Sequence, residues 1–177
     1  NDRTTVSLRL SMTSSFNKWI PFCGANTKEK KEEVAITGNS DPYIWRASYL
    51  PVLNVDSQFV QDPDQDFDVL RFGLREWDKI KPYLLKDFYV LTPWHSERDT
   101  TGFTAYCYYD PETDKGVLLA FRQERCQGDH LAFRLPFGNG PFRFRDEDTG
   151  ESFTSQGDGI LEFPSPRTAK LIWVEHL

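Results

Sequence analysis

The punctuation of this 177-residue sequence changes near Leu85, and that change restricts the chain to few architectures. Ahead of Leu85 the pattern alternates helix with short strand. Thr4–Ser15 is a helix candidate, and the apolar stretch Lys18–Cys23 is a short strand that stops at Gly24. Residues 25–39 follow as a loop. Asn39-Ser40-Asp41-Pro42 has the form of a helix start, a capping side chain ahead of a proline in the first turn. Tyr43–Leu50 is then predicted as helix and Val52–Val55 as strand, on either side of Pro51. After an Asp-rich turn at Asp62-Pro63-Asp64, the spacing of Phe67, Leu70, Leu74 and Trp77 predicts an amphipathic helix over Asp66–Lys81, ended by Pro82. This succession is the grammar of a parallel α/β layer.

Beyond Leu85 the helical signals cease. Phe103–Tyr109 alternates, Asp110–Lys115 reads as a polar turn, and Gly116–Gln123 is apolar. Further strand-like runs are His130–Leu135, Phe142–Arg145, Glu151–Ser155 and Ala169–Val174. Short strands at intervals of roughly 8–12 residues, broken by Gly, Asp and Pro, indicate an antiparallel β-sandwich. The expected fold class is therefore α/β followed by all-β. With no low-complexity linker between them, the two parts are expected to pack directly on each other.

Charge and cysteine content narrow the function. The formal net charge of −6 argues against nucleic acid or an anionic membrane as partner, since both reward clustered Lys and Arg. In the one basic cluster, Lys28, Lys30 and Lys31 alternate with Glu29, Glu32 and Glu33 and cancel. No apolar run is long enough to span a bilayer. Cys23, Cys107 and Cys126 are odd in number and lack a C-x-x-C pair, so buried, reduced thiols and a cytoplasmic setting are expected. His95, His130 and His176 stand apart from any carboxylate or serine at diagnostic spacing, and no phosphate loop is present. Neither a metal nor an organic cofactor is expected.

Several runs carry a family resemblance. Lys81-Pro82-Tyr83, Asp87-Phe88-Tyr89 and Leu91-Thr92-Pro93 resemble the stretch that leaves the last barrel helix in microbial α-galactosidases of glycoside hydrolase family 36. The Glu76-Trp77 pair is similar to one on that helix. Gly116–Arg122 resembles a strand of the family's sandwich, and Asp146–Glu151 its following turn. Trp19-Ile20-Pro21-Phe22 is similar to the seventh barrel strand and Pro51–Asn54 to the eighth. The resemblance implies that residues 1–84 are the end of a (β/α)8 TIM barrel, about two strands and three helices of it, and residues 85–177 a C-terminal β-sandwich domain. A whole barrel takes about 250 residues, so the chain reads as a portion of a longer enzyme.

That family hydrolyses terminal α-galactosides with retention, through two aspartates. The nucleophile would lie on a strand outside this chain. Asp2 stands ahead of Trp19 at the spacing the family keeps for its acid/base aspartate, although Asn1 occupies the place of the motif's serine. Strand ends and the loops after them form the sugar site in such barrels, which brings forward Cys23, Gly24, Asp56 and Gln58. Trp19 and Trp45 would either stack on a sugar ring or pack in the core, the commoner use of a large aromatic. The implied partners are an α-galactoside or related oligosaccharide, the remainder of the barrel, and further copies of the protein in a homo-oligomer. The chain alone is expected to be inactive. The alternative is a carbohydrate-binding or structural and oligomerisation β-sandwich without catalysis, for which Tyr106 and Tyr108 would supply an aromatic face, unless that face packs on the helix around Trp77.

Overall fold

The structure, a computed structural model, describes residues 5–20, 24–26, 42–55, 67–138 and 140–177. Helix α1 spans Val6–Phe16, and the Thr5 hydroxyl caps it by accepting from the Leu8 N–H at 3.2 Å. Its serines, poor helix formers in isolation, are turned back onto the helix: Ser14 Oγ donates to the Leu10 carbonyl and Ser15 Oγ to that of Ser11. The strand expected over Lys18–Cys23 begins later. Asn17–Trp19 form a turn in which the Trp19 and Ile20 N–H groups both donate to the Phe16 carbonyl, so the chain is still closing the helix there.

Strand β1, Gly24–Asn26, opens at the glycine expected to end it. It pairs in parallel with β2, Val52–Asn54, in the register Gly24↔Val52. A Cβ on Gly24 would sit 3.0 Å from the Val52 carbonyl oxygen, so the glycine permits the close approach of the two strands. Helix α2, Pro42–Ala47, lies on the connection and is buried except for its first residue. It is shorter than the Tyr43–Leu50 expected. Ser48 and Tyr49 turn off through i→i−3 bonds, because the residue before Pro51 is held out of the α region. The parallel β–α–β order matches the sequence grammar, but the described residues form no closed barrel.

Helix α3, Phe67–Ile80, is the amphipathic helix expected, with a different face turned inward. Its buried residues are Gly73, Glu76 and Ile80, with Val69, Leu70 and Trp77 on the flanks. Phe67 and Leu74 are 46% and 39% exposed. Two contacts set the rotation. A Cβ on Gly73 would fall inside the Trp45 indole, so the absent side chain is what admits that ring. Tyr49 and Trp77 then tie the helix in place, donating to the Gly73 carbonyl at 3.1 Å and the Leu50 carbonyl at 3.0 Å.

Among the described residues, eight strands and no helix follow Leu85. They are β3 (Asp87–Val90), β4 (Phe103–Asp110), β5 (Lys115–Arg122), β6 (His130–Arg134), β7 (Phe142–Asp146), β8 (Ser152–Ser155), β9 (Asp158–Glu162) and β10 (Thr168–His176). Six form one antiparallel sheet in the order β3-β4-β5-β10-β7-β8, and β6 pairs with β9 in a second layer. β3 and β9 were not expected as strands. The larger sheet is buried on both faces. Ala105, Cys107, Tyr109, Leu118 and Ala120 meet Leu131, Phe133 and Leu161 of the second layer. Tyr106, Tyr108, Leu119, Phe121 and Leu171 meet Val6 and Leu10 of α1, Ile44 and Trp45 of α2, and Ile80 and Leu84. The sheet therefore stands between the β6–β9 ladder and a helical layer, and the two parts of the chain share a core.

Candidate functional site

The residues expected to form a sugar site are not brought together among the described residues. Asp2, Cys23, Asp56 and Gln58 lie outside them. Trp19 is 82% exposed in the turn ahead of β1, so it packs in no core here, and Gly24 is the first residue of that strand. Gly24 sits at the N-terminal end of the parallel ladder. Ligands of β/α layers gather at the other end, beyond Asn26 and Asn54. Trp45 is buried against Gly73. Tyr106 and Tyr108 are wholly buried, packed on Phe88, Phe121 and the helical layer, which removes the aromatic face that a sugar-binding sandwich would need.

The histidines are engaged locally. His95 Nδ1 lies 2.9 Å from Asp99 Oδ2. Asp99 also accepts from the Thr101 hydroxyl at 2.6 Å and from its N–H at 3.1 Å. These contacts, Thr101 foremost and His95 next, hold the Asp99 carboxyl far below the ordinary carboxylate range. The group staples the β3–β4 loop; a Cβ on Gly102 would strike the His95 ring, so the turn is fitted closely around it. His130 Nδ1 is 2.7 Å from Asp129 at the surface, and His176 stands edge-on to Phe142 at 4.8 Å. Among the described residues no three His, Cys, Asp or Glu side chains are grouped to hold a metal.

The strongest polar constellation was missed from sequence. Arg46 of α2 is fully buried and clamped by two carboxylates. Its Nε and Nη2 donate to Glu76 of α3 at 3.1 and 2.8 Å, and its Nη1 and Nη2 donate to Asp148 of the β7–β8 turn at 2.8 and 2.6 Å. Nη1 also donates to the Ala169 carbonyl at 2.9 Å. Burial opposes the charge on Arg46, but the bonds to Asp148 and Glu76 outweigh it and hold the guanidinium protonated more firmly than in water. Burial, with Glu76 nearby, likewise pushes the Tyr49 hydroxyl well above its ordinary value.

The neighbouring acids complete a clasp. Glu147 accepts from Lys79 of α3 at 2.5 Å and from the Trp173 indole at 2.6 Å; Asp146 accepts from Lys170 at 2.6 Å. Three consecutive acids of one turn thus join α2, α3 and β10. Burial raises the pKa of Glu147 and Asp146, yet these partners bring both below the ordinary carboxylate range. The clasp holds two layers together, with its carboxylates committed to cations. The sequence signal for it was slight: one arginine inside the apolar run Tyr43–Leu50, and an acidic turn with no visible counterpart.

Helix α1 is fixed by longer reaches. Arg9 Nη1 donates to Ser48 Oγ at 3.1 Å, Asn17 Nδ2 to the Tyr108 hydroxyl at 3.0 Å, and the exposed Trp94 indole to the Ser11 carbonyl at 3.2 Å. Its other side carries Leu8, Met12 and Phe16 at i,i+4 spacing, continued by Ile20, and the last three are exposed.

No family model matches the sequence, and no curated protein does. Solved structures do match the fold. The galactosidase domain of the α-galactosidase-sucrose kinase AgaSK superposes over 100% of this chain with a TM-score of 0.71 at 12% identity. The GH36 α-galactosidase AgaA of Geobacillus stearothermophilus, in complex with raffinose, does so over 100% with a TM-score of 0.67 at 10% identity. An α-amylase from Geobacillus thermoleovorans matches over 97% with a TM-score of 0.55 at 13% identity. The chain spans 25% of the length of each of the first two. At such identities the likeness is one of fold: from α1 to β10, the chain has the fold of the matching quarter of GH36 α-galactosidase structures.

Proposed function

We propose that this chain is the barrel-closing and sandwich portion of a retaining glycoside hydrolase that acts on terminal α-galactosides. The observation that carries the reading is the match of fold over the whole chain, helical layer and sandwich alike, to GH36 α-galactosidase structures. In this reading residues 1–84 supply the last β/α units and residues 85–177 brace them.

The physical chemistry agrees with a shared site. Retaining hydrolysis needs two carboxyl groups about 5 Å apart, one to attack and one to shuttle a proton. Glu76, Asp146, Glu147 and Asp148 are committed to the clasp. The family resemblance assigns the pair to Asp2 as acid/base and to a nucleophile on another part of the barrel. The two-stranded ladder and the outer stripe of α1 are where that part would join. Parallel sheets occur almost only with both faces covered, and a helix that is apolar on two sides is normally buried on both.

Turnover of a chromogenic α-galactoside tests this. The intact gene product should hydrolyse it, and the 177-residue chain alone should not. Asp2→Asn in the intact product should lower kcat by about 10²–10⁴-fold, the usual contribution of a general acid/base. Turnover by the isolated chain would overturn the portion reading, and an unchanged rate in the variant would remove Asp2 from the mechanism.

A further inference from the structure

Strand β2 turns one face to the core and one away from it. Leu53 and Val55 pack on the core shared with α2 and α3. Side chains alternate along a strand, so Val52 and Asn54 project to the opposite side, and both are exposed, Val52 at 49%. Asn54 is the last residue of the strand, as its register partner Asn26 is the last of β1. The outward face therefore changes in kind along its length, from a branched aliphatic at the start to a carboxamide at the end.

The strand is a firm mount for that carboxamide. Tyr49 and Leu50, just ahead of it, are buried. Tyr49 donates to the Gly73 carbonyl, the Trp77 indole donates to the Leu50 carbonyl, and Arg9 reaches Ser48 from α1. Pro51 then restricts the backbone at the entry to β2. A side chain set on a strand supported in this way is held more closely than one on a loop, so little order has to be gained when a ligand binds. Among the described residues the Asn54 carboxamide has no hydrogen-bond partner, which leaves its donors and its acceptor open.

We infer that Asn54 binds the substrate of the α-galactoside site, exchanging hydrogen bonds with a hydroxyl group of the terminal sugar. The inference rests on the hydrolase reading, in which the outward face of β2 looks into the barrel. Barrel interiors are filled in layers by branched aliphatic side chains, and ligands meet the strands at their C-terminal ends. Val52 suits such a packed layer. Asn54 lies one layer nearer the mouth.

The chemistry suits a neutral sugar. A carboxamide within the packed layers would need a buried partner of its own, whereas at the mouth a bound hydroxyl supplies one. The amide both donates and accepts, as a sugar hydroxyl does, and the contact needs no charge on either side. A site that hydrogen-bonds one particular hydroxyl rejects an analogue without it, because its own polar atoms are left unpaired. Asn54 thus helps to set which pattern of hydroxyl groups is accepted. This task is separate from that of the two carboxyl groups, which break the glycosidic bond.

Kinetics of the intact gene product on a chromogenic α-galactoside and on its monodeoxy analogues, each lacking one sugar hydroxyl, test it. Asn54→Ala should lower kcat/KM on the parent sugar by about tenfold, what one hydrogen bond contributes. On one analogue, the one without the contacted hydroxyl, the same variant should match the wild type. Asn54→Asp keeps the shape and the acceptor but loses the donors. It should show the same selective pattern, and it keeps the test usable if Asn54→Ala fails to fold. Val52→Ala, one layer deeper, should affect every sugar alike. Equal losses on all the sugars in both Asn54 variants, or no loss in either, would overturn the inference while leaving the hydrolase reading in place. A wild-type product that turns over no α-galactoside would overturn that reading, and the inference with it.

Discussion

Arg46 shows how much one residue can decide and how little its immediate sequence announces it. The arginine lies in the buried face of a short helix, and a guanidinium there is tolerable only with carboxylates on both sides. Glu76, itself buried, and Asp148 supply them. Glu76→Ala should therefore cost about 3–5 kcal/mol by urea denaturation, because it strands a buried cation. Replacing the pair together, Arg46→Met with Glu76→Leu, should cost less than either single change. A double-mutant cycle with near-additive losses would mean that the pair is not coupled as the distances require. Glu147 gives the clasp a pH dependence. Its folded-state pKa lies below its ordinary value of 4.5, through Lys79 and Trp173. The sign follows from linkage: the folded state holds the proton less tightly, so the stabilisation is fully present above about pH 4.5 and is lost as pH falls through the folded value. Wild type should thus be more stable than Glu147→Gln at pH 6, with the difference shrinking as pH falls below about 4.5. A gap that stays constant as pH falls would assign the effect to packing instead.

At the scale of the element, α3 separates what periodicity reveals from what it hides. The helix and its Pro82 stop were legible, as were six of the eight strands beyond Leu85. The inward face was not, because apolar spacing selected Phe67, Leu70, Leu74 and Trp77. The true inner line runs through a glycine and a glutamate, Gly73 and Glu76, which no hydrophobic pattern counts. Their reasons lie on α2, in Trp45 and Arg46, so only the fold could show them. β9 was hidden for a related reason: Asp158 and Gly159 read as a turn, whereas Gly159 is the flat spot that admits the rings of Phe133 and Phe153. Of the candidate sugar site, Asp2, Cys23, Asp56 and Gln58 lie outside the described residues, and β1 begins where the first barrel strand was expected to end. Gly73→Ala puts these ideas in competition. Helix propensity alone favours alanine by about 1 kcal/mol. The Trp45 ring occupies the place of the new methyl, and overpacking of this kind costs about 1–3 kcal/mol or more. Net destabilisation is expected, with Leu74→Lys within about 0.5 kcal/mol of wild type as the exposed control. A stabilised Gly73→Ala would show that α3 does not rest on Trp45.

For the whole molecule, the central question is whether the sandwich can stand without its helical layer. The large sheet buries apolar side chains on both faces, yet only one face is covered by strands of its own half, β6 and β9. The other depends on α1, α2 and α3 for cover over Tyr106, Tyr108, Leu119, Phe121 and Leu171. These rings and aliphatics line adjacent strands of one face, so removing the helices would expose them as a single apolar patch of the kind that drives association. The acidic turn would lose its counterparts at the same time, leaving Asp148 without Arg46 and Glu147 without Lys79. A fragment of residues 85–177 is therefore expected to bind a hydrophobic dye such as ANS and to aggregate, while the 177-residue chain keeps this face dry. Adding residues 1–84 in trans should reverse dye binding, and more weakly when they carry Arg46→Met. If the fragment proves monomeric, dye-silent and cooperatively folded by itself, the helical layer is a passenger on the sandwich and not part of its core.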